Sequence, residues 1–468
     1  MVITERFPTP VHATLTSSAI ASLRGRLDGR LVTPDSVEYD EARTTINRQS
    51  RFPLAIVRAE HAADVAAAVD VARQHNLPLA VRSGGHSIAG FSMVDASLVI
   101  DFAAMKRVTI DPVTRTARVQ PGATSGDLAG PAAAHGLALT TGDTSSVGMG
   151  GLVTGGGVGF MARKFGLAID NLLSAEVVTA SSDIVTASET SHPDLFWAIR
   201  GGGGNVGIVT EFTFRLAPVP HILGGVLVQP ATPDVVRGYL DASLAAPDDL
   251  TTLAHIMPMP PLPFAPEEWV GKPVVLTLVT WTGEIEAGQA ALAPLRALAE
   301  PVAEVIAPMP YPAIYDFTAQ NTLPHGASIR MMFADDLSDG AIDAMVDAVH
   351  HASSDTSIIQ LRAMGGAVGR VPVDATAFAH RDRNYFVAII NVWFDVTQDR
   401  TPHEAWTEAL WEIIRPEGAG VYVNFLEREG PDRVREAYPH GAYERLQRIK
   451  AAYDPENLFR FNQNIPPN

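Results

Sequence analysis

The chain has 468 residues and carries 35 Lys plus Arg against 52 Asp plus Glu, a formal net charge of −17. This acidic balance argues against a nucleic-acid surface, because clustered Lys and Arg are needed to neutralise phosphates. It also argues against a polybasic membrane-binding face. The absence of cysteine excludes disulfides, thiolate metal sites and cysteine nucleophiles. The length suggests roughly two or three domains.

The sequence gives no sign of membrane insertion or export. No segment is apolar for the about 20 residues that a membrane-spanning helix needs. Residues 1–30 mix charge and proline, and they lack the apolar core and cleavage pattern of a secretory signal. We therefore expect a cytoplasmic protein with no membrane partner.

The first half of the chain predicts alternating strands and helices. Pro53–Val57 is an apolar run that predicts a strand. The spacing of Val65, Val69 and Ala72 then predicts a helix, which ends before Pro78. The remaining predicted elements are strands at 79–81, 97–102 and 206–216 and hairpins at 106–122 and 175–187.

Composition changes near residues 216–225, where the glycine-rich clusters thin out. Beyond that point we predict strands at 273–281, 328–334 and 384–394 and helices at 338–353 and 403–414. We place domain boundaries near residues 218 and 405. The expected fold is α+β, with domains at 1–218 and 219–405 and with segment 406–468 returning to the first domain.

The segment Val81–Ser87 reads VRSGGHS and lies between two predicted strands. Consecutive small residues let backbone N–H groups converge into an anion-binding concavity, to which Arg82 adds charge. Such a loop suits a pyrophosphate. The alternative is a tight turn whose glycines only supply positive φ.

A second glycine-rich segment holds seven glycines between Gly148 and Gly159. Each costs about 0.5–1 kcal/mol relative to Ala in regular structure, so close backbone approach to a large planar or phosphorylated cofactor is the expected compensation. An NAD(P) fingerprint is the competing interpretation. Gly202–Gly207 (GGGNVG) matches it by letters, but a predicted strand follows instead of the required helix.

Together these segments resemble the bacterial berberine-bridge-enzyme-like branch of the vanillyl-alcohol-oxidase/PCMH flavoprotein family. The motifs that carry the resemblance are RSGGHS, SVGMGGLVTGGGVGF, DLFWAIRGGGGNVGIVTEFTF, YVNF and YDPENLFRFNQNIPP, in the family's order. It extends from about Arg43 to Pro467. The resemblance implies a two-part PCMH-type FAD-binding domain and a substrate domain whose antiparallel sheet is covered by helices.

By this resemblance FAD is the cofactor, and His86 is its covalent attachment point at the 8α-methyl carbon. Many relatives add a second bond from a cysteine at the position of Thr144, which implies mono-covalent attachment here. Val147 matches the position that governs access of dioxygen, and its small size favours an oxidase. The cofactor-binding residues implied are Arg82, Ser83, Gly84, Gly85, His86, Ser87, Gly142, Ser146, Val147, Gly148, Gly151, Gly156, Val209, Asn424 and Asn464.

The candidate catalytic residues are Tyr422, Gln360 and Asn391. Tyr422 is the candidate base, or a donor that orients the substrate. Gln360 stands where several relatives carry an acidic residue, and Asn391 shares with Trp393 a strand face that could line the pocket, although Trp393 could equally serve sheet packing. No metal site is predicted, because neither H-E-x-x-H nor a compact carboxylate cluster occurs.

The sequence predicts an oxidase that takes a hydride from a small organic substrate and passes electrons to dioxygen. The alternatives are a flavin-dependent dehydrogenase, an oxygenating enzyme of the same fold, and a non-catalytic small-molecule-binding protein.

Overall fold

The computed structural model describes residues 16–468 and shows an α+β fold, which confirms the predicted fold class. Residues 1–15, which belong to the segment examined for a secretory signal and to the predicted first domain, lie outside the described residues. A first sheet has the order β1-β2-β4-β3, in which β4 pairs in parallel with β2 and β3. Its strands are β1 (Arg30–Val32), β2 (Ala55–Arg58), β3 (Leu79–Arg82) and β4 (Leu98–Asp101).

A second, antiparallel sheet has the order β5-β6-β10-β8-β9, beside the short pair of β7 and β11. Both predicted hairpins form, as the pairs β5·β6 and β8·β9. The strands are β5 (Val108–Asp111), β6 (Thr116–Val119), β7 (Leu137–Ala138), β8 (Leu172–Val178), β9 (Ile184–Ser188), β10 (Ile208–Arg215) and β11 (Ala217–Pro218).

The third sheet is antiparallel throughout and has the order β15-β12-β14-β13-β17-β18-β16. Strands β17, β18 and β16 lie side by side at the edge opposite β15, and β17 pairs with β13. The strands are β12 (Ile222–Pro230), β13 (Leu250–Pro258), β14 (Pro273–Trp281), β15 (Ala303–Met309), β16 (Gly326–Ala334), β17 (Ser357–Ala363) and β18 (Tyr385–Trp393).

The helices occupy the faces of these sheets. Helix α3 packs between the first two sheets, where its Val65 and Val69 join Val178 of β8 and Ile208 of β10 in one core. Helices α8, α11 and α13 bury their apolar sides against one face of the seven-stranded sheet. The α-helices are α1 (Ser17–Arg24), α2 (Tyr39–Ala42), α3 (Ala62–Gln74), α4 (Ser125–Ala133), α5 (Met149–Gly155), α6 (Ala162–Phe165), α7 (Pro193–Ile199), α8 (Pro233–Ala245), α9 (Ile285–Ala291), α10 (Ala293–Arg296), α11 (Asp339–His350), α12 (Gly366–Arg370), α13 (Thr401–Ile414), α14 (Pro431–Glu436) and α15 (Ala442–Tyr453).

The C-terminal tail is bonded to the glycine-rich loop before β10. The buried Asn205 amide donates to the Gln463 carbonyl at 3.2 Å and accepts from the Ile465 N–H at 2.9 Å. The Lys450 ammonium, buried beside Asp454 at 2.6 Å, donates to the Asn205 carbonyl at 2.8 Å. Because a buried charge is tolerated only when it is paired and hydrogen-bonded, these bonds hold the tail against the first part of the chain.

The domain boundaries at 218 and 405 stay predictions, although the seven-stranded sheet, from Ile222 to Trp393, lies wholly between them.

Within residues 16–468, the helices are all too short or too polar to span a bilayer.

Candidate active site

A cavity of about 640 Å³ lies between the glycine-rich segments and the face of the seven-stranded sheet that α8, α11 and α13 leave free. Its lining comes from the loop after β3, the segments around α5, the strands β13, β16, β17 and β18, and the C-terminal tail. The cavity therefore joins all the parts of the chain that carry the predicted site residues.

The loop after β3 offers unpaired backbone donors to this cavity. Gly85 has φ 75°, a left-handed conformation that favours glycine. The backbone N–H groups of Gly84, Gly85, His86 and Ser87 donate to no other group within residues 16–468, and all four residues line the cavity. Adjacent N–H groups of this kind suit an anion, so the anion site predicted for this loop is compatible with its geometry.

The role predicted for Arg82 in that anion site stays a prediction. Its guanidinium donates to the Ala42 carbonyl and lies 3.8 Å from the buried Asp101 carboxylate, and the residue does not line the cavity. Arg82 is the last residue of β3, and its partner across the sheet is Asp101 of β4. The guanidinium is thus held by Ala42 and Asp101 but stays behind the loop, where a Cβ on Gly85 would lie 3.6 Å from its Nε.

The two glycine-rich segments meet backbone to backbone. A Cβ on Gly84 would lie 2.5 Å from the Gly148 nitrogen, and a Cβ on Gly148 would lie 2.2 Å from the Gly84 nitrogen. A Cβ on Gly151, in contrast, would meet no heavy atom within 4 Å, and Gly151 is exposed to the cavity. At Gly151 the cavity wall therefore consists of backbone atoms without a side chain. A planar cofactor could approach these atoms closely.

His86 lies at the junction of the two segments. Its Nε2 is 3.0 Å from the Ser146 hydroxyl, which fixes the orientation of the ring. Burial, and secondarily the nearby His325, lowers the pKa of His86 to about 4. The imidazole is therefore neutral at physiological pH, the form in which one ring nitrogen carries no proton.

Tyr422 lies beside α5 and is buried in the core. Its hydroxyl oxygen accepts from the Gly157 N–H at 2.8 Å and from the Asn424 amide at 2.9 Å. A tyrosine oxygen has two lone pairs and one O–H, so only the O–H remains for a ligand. Burial raises the pKa of Tyr422 to about 12 in spite of the two donors, so the group is a neutral hydrogen-bond donor at physiological pH.

The cavity wall formed by the sheet combines the predicted Gln360 with His255 and Arg362, which sequence reasoning missed. Gln360 of β17 lies in register with His255 of β13, and their side-chain nitrogens are 3.0 Å apart. The Arg362 guanidinium bonds the Gln360 oxygen at 2.7 and 3.0 Å and pairs with Asp143. The sequence holds no spacing signal for His255, because its 105-residue separation from Gln360 is bridged only by strand pairing.

Asn391 lies on the other face of the sheet and does not line the cavity. It is fully buried, and its amide bonds the hydroxyls of Ser353, Ser354 and Ser357 at 2.6 to 3.1 Å. Trp393 stacks on His403 of α13, with 4.9 Å between ring centroids, and reaches only the end of the cavity. The expectation that Asn391 carries chemistry is therefore corrected, since its neighbours Ile390 and Val392 face the cavity instead.

Three other predicted cofactor residues lie behind the cavity wall. Ser146 acts through His86, and Gly156 contacts the Tyr422 ring, where a Cβ would lie 3.1 Å from Cε2. The Asn464 carboxamide oxygen is buried and has no hydrogen-bond partner within residues 16–468. The predicted site residues that line the cavity are Ser83, Gly84, Gly85, His86, Ser87, Gly142, Val147, Gly148, Gly151, Val209, Gln360, Tyr422 and Asn424.

Comparison with known families agrees with this geometry. The family described as FAD binding domain matches residues 53–188, and the family described as Berberine and berberine like matches residues 421–466. The two matches cover the glycine-rich segments and the tail that bears Tyr422. The fold and the site thus define an FAD-linked oxidoreductase.

Known relatives place the chain within one family. It is 34% identical over 456 residues to an uncharacterised FAD-linked oxidoreductase, YgaK, of Bacillus subtilis, covering 94% of this chain and 98% of that protein. It is 32% identical over 465 residues to (R)-6-hydroxynicotine oxidase of Paenarthrobacter nicotinovorans, covering 94% and 97%. The crystal structure of 6-hydroxy-D-nicotine oxidase from Arthrobacter nicotinovorans superposes with a TM-score of 0.84 at 28% identity, covering 94% and 98%. The chain belongs to the berberine-bridge-enzyme-like family of FAD-linked oxidoreductases.

The contact between Gly84 and Gly148 yields a prediction for the Gly84→Ala variant. The added methyl forces the two backbones apart, and overpacking of this kind costs about 1–3 kcal/mol. We expect the free energy of unfolding to fall by that amount and the flavin-to-protein absorbance ratio of the purified variant to fall with it. Gly130→Ala is the matched control, because its Cβ would meet nothing within 4 Å in α4. Normal flavin content in Gly84→Ala would contradict the close packing.

Proposed function

We propose that this protein is an oxidase that removes a hydride from a small organic substrate and uses dioxygen as electron acceptor, with FAD attached only through His86. The single observation that carries the proposal is the cavity itself. Its bare backbone and unpaired N–H groups suit a pyrophosphate and a planar ring, and Tyr422 faces the same space. Bound FAD would supply a two-electron acceptor. The relatives named above include an oxidase that acts on a hydroxylated nicotine.

Attachment at His86 is supported by the state of its ring. The imidazole is neutral, because burial lowers its pKa to about 4, and Ser146 holds it at the meeting point of the two glycine-rich segments. A second covalent bond is not proposed. By the family resemblance, Thr144 stands where many relatives carry the second attachment cysteine. Its hydroxyl lies 3.2 Å from Asp143, and a hydroxyl is a far weaker nucleophile than a thiolate.

Tyr422 is proposed to orient the substrate in its neutral form. Both lone pairs of its oxygen are used by Gly157 and Asn424, so a substrate heteroatom meets the O–H. The same two donors would stabilise a phenolate if the substrate's own proton had to be taken up. In either case Tyr422 fixes the reacting group, and its apolar surroundings, including Phe378 and Phe425, exclude water from it.

The proposal can be tested before the substrate is known. The purified protein is photoreduced without oxygen and then mixed with dissolved oxygen. An oxidase restores the oxidised flavin spectrum within seconds and releases one equivalent of hydrogen peroxide. Slow reoxidation would favour a dehydrogenase, and a protein that is never reduced by any member of a panel of amines, sugars and secondary alcohols would favour a binding protein.

Val147 yields the first prediction of this proposal. The residue is half-buried and lines the cavity beside Gly148, so Val147→Ile adds a methylene to the route that oxygen takes. We expect reoxidation of the photoreduced flavin to slow by about tenfold. Val392→Ile, which adds the same group on the sheet side of the cavity, is expected to reoxidise at the parent rate. Equal slowing of both variants would contradict a gate at Val147.

Tyr422→Phe yields the second prediction of this proposal. The change removes the O–H and leaves the Gly157 and Asn424 donors without an acceptor, so flavin reduction should slow by about 100-fold, with a much smaller effect on binding. The measurement is anaerobic stopped-flow with the panel member that bleaches the parent flavin fastest. Tyr438→Phe is the control, because its buried hydroxyl has no hydrogen-bond partner in the described part of the chain. A parent-like rate in Tyr422→Phe would remove Tyr422 from the mechanism.

A further inference from the structure

Gln360, His255 and Arg362 form one hydrogen-bonded chain on the cavity face of the sheet. All three line the cavity, and each is at least nine-tenths buried. Arg362 also donates to the Val158 carbonyl at 3.2 Å, and the preceding residue, Gly157, donates to Tyr422. This series of hydrogen bonds therefore lies next to Tyr422, at the end of the cavity where the proposed reaction takes place.

The direction of these bonds is fixed by Arg362. A guanidinium can only donate, so the Gln360 atom that it contacts at 2.7 and 3.0 Å is the carboxamide oxygen. The Gln360 nitrogen consequently faces His255 and donates to its Nε2 at 3.0 Å. Because Nε2 accepts, the proton of the neutral imidazole resides on Nδ1.

Two N–H groups are left over by this arrangement. They are Nδ1–H of His255 and the second amide N–H of Gln360, and neither donates to another group within residues 16–468. The Gln360–His255 pair thus offers hydrogen-bond donors, because its acceptor atoms are already occupied by Arg362 and by Gln360 itself. A ligand that meets it must supply a lone pair.

The carboxylates that line the cavity do not change this conclusion. Among the described lining residues these are Asp143 and Glu404. Asp143 pairs with Arg362, and Glu404 pairs with Arg400 at 3.0 Å. Each carboxylate is already paired with an arginine. The wall therefore has no free counterion for an ammonium group placed near Gln360.

We propose that Gln360 and His255 are specificity-determining residues that bind a neutral acceptor oxygen of the substrate, such as a carbonyl, and disfavour a cationic group at that position. The inference rests on the proposed function and adds to it the chemistry of the substrate group that faces the sheet. Arg362 is then the positioning residue, because it orients the Gln360 amide that contacts the substrate.

The test uses two probes of equal shape, benzamide and benzamidinium, titrated into the flavin-bearing protein while the flavin spectrum is followed. Benzamide carries an acceptor oxygen, whereas benzamidinium carries only donors and a positive charge at neutral pH. We expect the parent protein to bind benzamide at least about tenfold more tightly. Gln360→Glu should reverse that preference, because a carboxylate accepts from the amidinium and pairs with its charge.

Two further variants separate the proposed role from a general effect. Gln360→Met removes the donor without adding charge, so benzamide should bind more weakly and benzamidinium should gain nothing. Gln398→Glu adds the same charge to the Gln398–His403 pair, whose side-chain nitrogens are 2.9 Å apart at another part of the cavity. We expect the ratio of the two affinities to stay at the parent value in this control.

A parent protein that binds both probes equally, or a Gln360→Glu variant with the parent preference, would overturn this inference while leaving the oxidase proposal intact. Reversal in Gln398→Glu as well would also overturn it, because the effect would then be one of cavity charge. A purified protein that holds no flavin would overturn both proposals.

Discussion

The buried Arg362 guanidinium is the interaction on which the geometry of the cavity depends. From β17 it reaches Asp143 and the Val158 carbonyl in the first part of the chain, while its Nε and Nη2 hold Gln360. It also lies 4.9 Å from the centroid of Phe386. A buried charge is costly unless it is paired and hydrogen-bonded, so these partners fix the distance between the sheet and the glycine-rich segments.

The tail completes the cavity from the other side. Asn205 and Lys450 hold its end against the loop before β10, and this attachment places Tyr422 and Asn424 next to α5. Two residues far apart in sequence, Gly157 and Tyr422, thereby come within 2.8 Å. The proposed chemistry follows from three separate parts of the chain that meet at one cavity, which explains why neither the first half nor the tail forms the site alone.

The sequence indicated an FAD-binding domain, because its glycine-rich segments are evident from composition, and the family match over residues 53–188 agrees with that. It could not predict the substrate side. The pairing of His255 with Gln360 depends on which strands become neighbours in the seven-stranded sheet. Alternation correctly placed Asn391 and Trp393 on one face but could not say which face meets the cavity. The contact between Arg82 and the buried Asp101 was likewise beyond sequence reasoning, because Asp101 comes from the adjacent strand.

The most direct test of the account is acid precipitation of the purified protein and of His86→Ala, followed by spectra of pellet and supernatant. The account predicts that the parent flavin stays in the pellet, on a peptide that contains His86, and that the variant releases its flavin into the supernatant. Flavin released by the parent protein, or flavin found on a different peptide, would contradict attachment through His86.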